Sequence, residues 1–184
     1  MSKTFWIGWL SVLMLSGIDV VGAQGQAPAA PAAKPAAGAA AGAAMTPSAR
    51  VESTPKGQLK NPYKDDNAAI VAAGKGLYFH TGCNGCHGGG GGGGMCPPLT
   101  NDIWVYGGDD DTLFRLVALG SDALLAKGYT RIGMEHVVGP MPAMGAIVPT
   151  DDDLWKIITF IRSNYTGSPA SKYGTPPDAA PPPG

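Results

Sequence analysis

The sequence predicts a small all-α domain, residues 57–167, followed by a proline-rich tail over residues 168–184. Two observations favour this fold class. Apolar residues recur at helical spacing, and no stretch shows the sustained alternation of apolar and polar residues that marks a half-buried strand. The clearest apolar stripe consists of Leu154, Ile157, Ile158 and Ile161. A segment of this length is the size of one domain.

The first 56 residues divide into two segments that we do not expect to belong to the folded domain. Residues 1–23 are typical of a signal peptide, with the basic Lys3, an apolar run from Phe5 to Leu15 and small residues before a cleavage site after Ala23. A membrane span needs about 20 apolar residues, so we expect membrane attachment only if this segment stays uncleaved. Residues 24–56 are rich in Ala, Pro and Gly, which predicts a disordered tether.

Three helices are predicted inside the domain. The first covers Asp66 to Phe79 and the second covers Asp111 to Leu119, each with apolar residues on one face. The third begins after Thr150, which can cap it together with Asp153 in a capping-box-like pair. Gly167 lies beyond its end.

Glycines interrupt the pattern at two places. Gly74 and Gly76 would normally weaken the first helix, so we expect another helix to approach closely there. Seven consecutive glycines, Gly88 to Gly94, lack the Lys-Ser/Thr pair that completes a phosphate-binding loop. We interpret them as a flexible loop over the edge of a bound cofactor.

Charge excludes one broad class of partner. The whole chain has a formal net charge of -1, and residues 57–167 contain eight Lys or Arg against eleven Asp or Glu, a balance of -3. The basic face that nucleic-acid binding needs is missing. The acidic runs Asp109–Asp111 and Asp151–Asp153 suggest calcium, but each precedes a helix, which favours solvated helix starts that can steer a basic partner.

The run Cys83-Asn84-Gly85-Cys86-His87 is typical of covalent c-type haem attachment. Each thiol can add to a haem vinyl group, and the adjacent imidazole becomes the proximal iron ligand. A zinc site would need a second Cys or His pair, and the only other cysteine is Cys96. A thioredoxin-like pair would open a helix after a strand, whereas polyglycine follows here. Because the haem is then the reacting group, we do not expect an enzyme.

The distal iron ligand is predicted to be Met141, whose neighbouring prolines restrict the backbone around it. A thioether ligand favours reduced iron and raises the potential. Met144 and His136 remain alternatives, the latter giving a bis-histidine site. His80 is expected to be a solvated surface imidazole and Met134 a core or loop residue, while Met95 lies too near the proximal side to reach round to the distal one.

One further segment and three further residues are expected near the haem or in the core. A carbonyl of the Pro97–Leu99 segment is expected to accept the second ring proton of His87. Trp104 is expected to cover a haem edge or propionate, and Trp155 to pack on the haem side or at a helix crossing. Cys96 is expected to be a small buried thiol, with an intermolecular disulfide as the alternative.

These features, in this order, resemble class I c-type cytochromes over about residues 66–164. More narrowly, the segments Cys83–Leu99, Asn101–Tyr106 and Val138–Pro142 are similar to the methanol-metabolism-related c-type cytochromes and to cytochrome c-L. The unpaired Cys96 and the long polyglycine run depart from the class I pattern. The resemblance implies a class I cytochrome c fold wrapped around one covalent haem c.

The same resemblance implies roles for four residues. Cys83 and Cys86 would form the thioether attachments, His87 would be the proximal ligand and Met141 the distal ligand. The expected function is periplasmic transfer of single electrons from a PQQ-dependent methanol or alcohol dehydrogenase to a downstream cytochrome or terminal oxidase. Two alternatives stay open: a general respiratory shuttle without a dedicated dehydrogenase, and a ligand-binding or peroxidatic haem protein with an open sixth position.

Overall fold

The computed structural model describes residues 44–174, and the regular structure of that range is helical throughout. The all-α prediction is therefore confirmed. None of the helices in this range is both long and apolar enough to cross a membrane. The helices are α1 (Pro47–Ser53), α2 (Ala68–His80), α3 (Cys83–His87), α4 (Asp110–Leu119), α5 (Ser121–Ala126), α6 (Asp151–Ser163) and α7 (Pro169–Tyr173).

The most extensive helix contact is the crossing of α2 and α6. Gly74 makes it possible, because a Cβ at this position would lie 2.6 Å from the carbonyl carbon of Lys156 and 3.0 Å from the Cβ of Phe160. The expected close approach is confirmed for Gly74. It is wrong for Gly76, where an added Cβ would meet nothing within 4 Å.

The hydrophobic core lies between α2, α4 and α6, with aromatic rings at its centre. The ring centroids of Phe114 and Trp155 are 4.4 Å apart, and those of Tyr78 and Phe160 are 5.2 Å apart. Trp155 therefore packs at a helix crossing, one of its two expected positions. The largest fully buried apolar side chains are Tyr78, Phe114, Leu124, Val148, Leu154, Ile157 and Ile158.

The three predicted helices begin within two residues of their expected positions because each has a side-chain cap. Asn67, Asp109 and Thr150 accept the N–H of the residue three positions later. The Thr150 cap is confirmed at 3.1 Å from the N–H of Asp153. The Asp153 carboxylate lies 3.4 Å from the Lys156 ammonium, so the capping-box pair is one-sided.

Helix α1 lies inside the segment predicted to be a disordered tether. Its Val51 is buried in the core, and its Arg50 forms a 2.6 Å ion pair with Asp151. Arg115 of α4 donates to the carbonyls of Val51 and Thr54. The boundary at residue 57 is therefore wrong, because charged contacts and one apolar anchor hold α1 on the domain. The signal segment and the tether up to residue 43 lie outside the described residues.

Helix α7 lies inside the predicted C-terminal tail. The Tyr173 hydroxyl donates to Asp65 at 3.0 Å, and the Lys172 ammonium lies 3.0 Å from the same carboxylate. The Arg162 guanidinium stacks over the Tyr173 ring at 5.2 Å. Packing thus continues at least to residue 174, beyond the predicted end at 167. Residues 175–184 lie outside the described part.

The acidic runs do start helices, but several of their carboxylates are buried and paired rather than solvated. Asp111, 1% exposed, accepts from Arg115 at 2.8 Å and from the N–H of Leu59 at 3.1 Å, and also binds the Tyr129 hydroxyl. Burial would raise the pKa of Asp111, but these hydrogen bonds hold it below its usual value. Within residues 44–174, no cluster of three metal-binding side chains supports a calcium site.

Candidate haem site

A cavity of about 480 Å³ opens between the helices and the loop that precedes α6. This volume lies in the range of about 300–1,000 Å³ found for ligand and cofactor sites. All four predicted site residues line the cavity, namely Cys83, Cys86, His87 and Met141. The fold therefore brings residues from the start and the end of the domain to one place.

The two paired cysteines lie on the short helix α3. Gly82, with φ +81°, caps this helix in the left-handed conformation that glycine adopts without strain. Cys83 and Cys86 are one helical turn apart, so their thiols share a face, and both line the cavity. The Cys83 sulfur lies 3.3 Å from the Thr81 hydroxyl, and burial raises the pKa of its thiol.

The His87 ring is oriented by a backbone carbonyl. Its Nδ1 lies 2.9 Å from the carbonyl oxygen of Pro97. A carbonyl can only accept, so Nδ1 must carry the proton and Nε2 keeps its lone pair for a metal. The predicted carbonyl partner is confirmed, and it is the carbonyl of the first residue in the Pro97–Leu99 segment.

The polyglycine run folds back on α3 and does not cover the cavity. The N–H of Gly93 donates to the carbonyl of His87 at 2.9 Å, and the carbonyl of Gly88 accepts the Tyr78 hydroxyl at 2.7 Å. A Cβ on Gly94 would lie 2.9 Å from the Cys86 carbonyl oxygen. None of the seven glycines lines the cavity. The expectation of a flexible loop over the haem edge is wrong, because hydrogen bonds fix the run beneath the cysteine helix.

Tyr78 supports α3 from the core side. It is fully buried, and its hydroxyl satisfies the Gly88 carbonyl at the end of the His87 helix. Burial raises its pKa to about 12. The tyrosine therefore stays neutral over the physiological range and acts as a fixed hydrogen-bond donor.

On the distal side, two methionines line the cavity, Met141 and Met144. The other alternative from the sequence, His136, is exposed and does not line it. Met95 and Met134 are 64% and 96% exposed, so neither is a core residue. The geometry thus retains Met144 as the alternative to Met141 and disfavours a bis-histidine site.

Apolar side chains form most of the remaining wall. Helix α6 contributes Ile157, Ile158 and Ile161. Trp104 lines the cavity with its indole N–H bound to the Leu99 carbonyl at 2.8 Å. The expected position of Trp104 beside the cofactor is consistent with this wall.

Cys96 is half-buried at the cavity wall beside Cys86. Its N–H donates to the Cys86 carbonyl at 3.1 Å, and burial raises the pKa of its thiol. Within residues 44–174, Cys83, Cys86 and Cys96 form no disulfide with one another. The Cys96 thiol therefore lies close to the attachment cysteines without being part of their motif.

The donor set fits a haem. A mostly apolar cavity suits a porphyrin, and two thiols on one helical face suit its vinyl groups. An imidazole with a free Nε2 and a thioether are both available to its iron.

The family is decided by comparison of the sequence with family models. A model described as cytochrome c matches residues 71–164, just over half of the chain. The chain belongs to the cytochrome c family.

Membership in the cytochrome c family implies covalently bound haem c and an electron-transfer role, as the sequence predicted. Among solved structures, the chain is similar to cytochrome CL from the marine methylotrophic bacterium Methylophaga aminisulfidivorans, with 27% identity and a TM-score of 0.41. That match covers 56% of this chain and 59% of the other. No curated protein sequence matches the chain.

Sequence reasoning missed two residues of this cytochrome c site. Gly120, between α4 and α5, and Ser121, the first residue of α5, contact the backbone of the Met141 loop. In the sequence these two residues simply follow the end of a predicted helix. No local sequence pattern links Ser121 to a methionine twenty residues later. The signal is a contact between distant segments, which no local pattern carries.

Proposed function

We propose that this cytochrome c carries single electrons in the periplasm with one haem c, held by Cys83, Cys86, His87 and Met141. When bound, the haem supplies a one-electron change between ferric and ferrous iron. The observation that carries the proposal is that these four side chains line one cavity. They come from two segments far apart in the chain, and a shared haem gives a reason for the fold to bring them together.

Each of the four residues has a part in this proposal. Cys83 and Cys86 attach the porphyrin so that it is not lost on dilution. His87, oriented by the Pro97 carbonyl, offers Nε2 as a strong and immobile ligand. Met141 offers a soft sulfur that stabilises the reduced state and closes the sixth position to exogenous ligands.

The cavity opens to solvent where its lining residues are exposed. Gly139, Pro140 and Leu125 are exposed lining residues on this side, with Asp122 and Arg131 beside them. This mouth is the proposed place of approach for donor and acceptor. It carries charges of both signs, and the acidic runs are largely paired with Arg and Lys elsewhere. We therefore expect weak electrostatic steering and a modest effect of salt on the association rate.

The proposed donor is a PQQ-dependent methanol or alcohol dehydrogenase, and the proposed acceptor is a downstream cytochrome or terminal oxidase. The support is the sequence resemblance to cytochrome c-L in the Asn101–Tyr106 and Val138–Pro142 segments. Trp104, Tyr106 and Met141 from these segments all line the cavity. The resemblance therefore concerns the surroundings of the redox centre rather than scattered surface positions.

Stopped-flow reduction tests the donor. The oxidised protein is mixed with a reduced PQQ-dependent methanol dehydrogenase, and the haem absorbance is followed, with a mitochondrial cytochrome c as the matched acceptor. We expect a rate that saturates with dehydrogenase concentration and exceeds that of the control protein by at least about tenfold. Equal rates for the two acceptors would reject a dedicated donor and favour the general shuttle.

Carbon monoxide tests the closed sixth position. The reduced wild-type protein should bind carbon monoxide slowly and incompletely, because the ligand must displace the Met141 sulfur. Fast and complete binding by the wild type would favour the ligand-binding or peroxidatic alternative instead.

A further inference from the structure

The turn between α4 and α5 holds the backbone of the proposed distal ligand. Ser121, 4% exposed, donates its N–H to the Met141 carbonyl at 3.0 Å. Its hydroxyl oxygen accepts the Met141 N–H at 2.9 Å. Both backbone hydrogen-bonding groups of Met141 are therefore bound by one residue from a different element.

Gly120 allows the Met141 loop to come this close. A Cβ at position 120 would lie 2.7 Å from the Met141 carbonyl oxygen and 2.8 Å from the nitrogen of Ala143. Real Cβ atoms do not approach backbone atoms so closely. Gly120 also has φ +80°, in the region that favours glycine. A side chain here would both strain the turn and push the loop away.

The contact continues along the end of α4. The N–H of Met144 donates to the Val117 carbonyl at 2.9 Å, and the N–H of Gly145 donates to the Ala118 carbonyl at 3.1 Å. Val117 also lines the cavity. The position of the Met141 loop relative to the cavity is thus set by α4 and its C-terminal turn, not by the flanking prolines alone.

We propose that Gly120 and Ser121 are positioning residues that hold Met141 in place as the distal iron ligand. The proposal rests on the proposed function, in which the Met141 sulfur binds the iron. With the Met141 backbone fixed on both sides, the thioether moves only through its own side-chain rotations. Without these contacts the loop is freer, and the population with sulfur detached from iron rises.

Two glycine variants and three serine variants test this. Gly120→Ala is compared with Gly128→Ala, because Gly128 has φ +79° and a Cβ there would meet nothing within 4 Å. The two variants share the backbone strain and differ in the contact with the Met141 loop. Ser121→Ala is compared with Ser168→Ala, whose hydroxyl accepts the Ser171 N–H at 3.2 Å, and with Ser121→Thr, which keeps the hydroxyl.

The readouts are the thioether-to-iron charge-transfer band of the oxidised protein and the rate of carbon monoxide binding to the reduced protein. A net hydrogen bond of about 1–1.5 kcal/mol corresponds to about tenfold in an equilibrium. We expect carbon monoxide to bind about tenfold faster to Ser121→Ala and Gly120→Ala, with a weaker band. Gly128→Ala and Ser168→Ala should match the wild type, and Ser121→Thr should restore most of the slow binding.

The outcomes separate this inference from the proposed function. If the wild type lacks the band, or Met141→Ala keeps it, the assignment of Met141 as the ligand fails. If the wild type shows the band and Met141→Ala loses it, but Gly120→Ala and Ser121→Ala match their controls, the positioning role is wrong. Should Gly120→Ala not yield folded protein, the comparison of Ser121→Ala with Ser121→Thr decides alone.

Discussion

Asp111 lies at the start of α4 with its carboxylate removed from solvent and bound by Arg115 and Tyr129. The same Arg115 reaches across to the backbone carbonyls of Val51, Thr54 and Pro55. Arg115 is therefore paired with Asp111 inside α4 and at the same time joins α4 to α1 and the residues that follow it. Removing one partner of such a pair leaves the other charge buried and uncompensated.

Replacing Asp111 with Asn should lower the free energy of unfolding at pH 7 by about 3–5 kcal/mol, because Arg115 loses its counter-charge. The pKa of Asp111 lies below the usual Asp value of about 3.9, so its stabilising effect is present above that value. The effect is lost as the pH falls through the lowered pKa. Denaturant unfolding of wild type and Asp111→Asn between pH 7 and pH 2 measures this.

The stability difference between the two proteins should narrow below about pH 4. Asp66→Asn, at an exposed position, serves as the control and should match the wild type within about 0.5 kcal/mol. A difference between wild type and Asp111→Asn that stayed constant down to pH 2 would contradict the buried-charge explanation.

At the scale of elements, sequence patterns located the helices that carry their own signals. Helix α6 has both a threonine cap and a continuous apolar stripe, so its start and its buried face were predictable. The short helices α1 and α7 have side-chain caps but no apolar stripe. Ion pairs and single aromatic or apolar anchors hold them on the domain. Those contacts are tertiary, so composition alone suggested disorder.

The residues of the candidate site also fall into those that a local sequence pattern predicts and those that only tertiary contacts reveal. Cys83, Cys86 and His87 form a local motif, so they were recognisable without a fold. The hydrogen-bonded course of the polyglycine run depends on Tyr78 and on the carbonyls of α3, and no local pattern shows them. The contacts of Met141 with Gly120 and Ser121 likewise join segments that are distant in the chain, so no local pattern predicts them.

The α2–α6 crossing gives a matched pair of substitutions on one helix. Gly76→Ala should stabilise the protein by about 0.5–1 kcal/mol, because alanine costs less backbone entropy in a helix and nothing lies near the new Cβ. Gly74→Ala should destabilise it by about 1–3 kcal/mol or more, because the new Cβ collides with the backbone at Lys156. Denaturant midpoints of the haem-loaded variants measure both. Equal effects of the two substitutions would show that α2 and α6 do not pack this closely.

At the scale of the whole molecule, the folded unit is larger than the sequence predicted. It includes α1, where Val51 is buried, and α7, where Tyr173 binds Asp65. The haem cavity lies within this unit and is lined by residues of α2, α3, α4, α5 and α6. Helix α1 is thus part of the folded unit that contains the site, although none of its residues lines the cavity.

Two truncated chains, each exported with the same signal, test the extent of the domain. A chain that begins at residue 44 should unfold at the same denaturant concentration as the full mature chain. A chain that begins at residue 57 should be less stable by at least about 3 kcal/mol, because it loses the burial of Val51 and the acceptors of Arg115. Equal stability of the two truncated chains would restore the original boundary at residue 57.

Covalent attachment of one haem at Cys83 and Cys86 is tested by the intact mass of the exported protein, produced with cytochrome c maturation machinery and treated under denaturing conditions with a thiol-alkylating reagent. We expect a mass equal to the mature polypeptide plus one haem, with one alkylated cysteine, Cys96. The polypeptide mass without haem, carrying three alkylated cysteines, would contradict it.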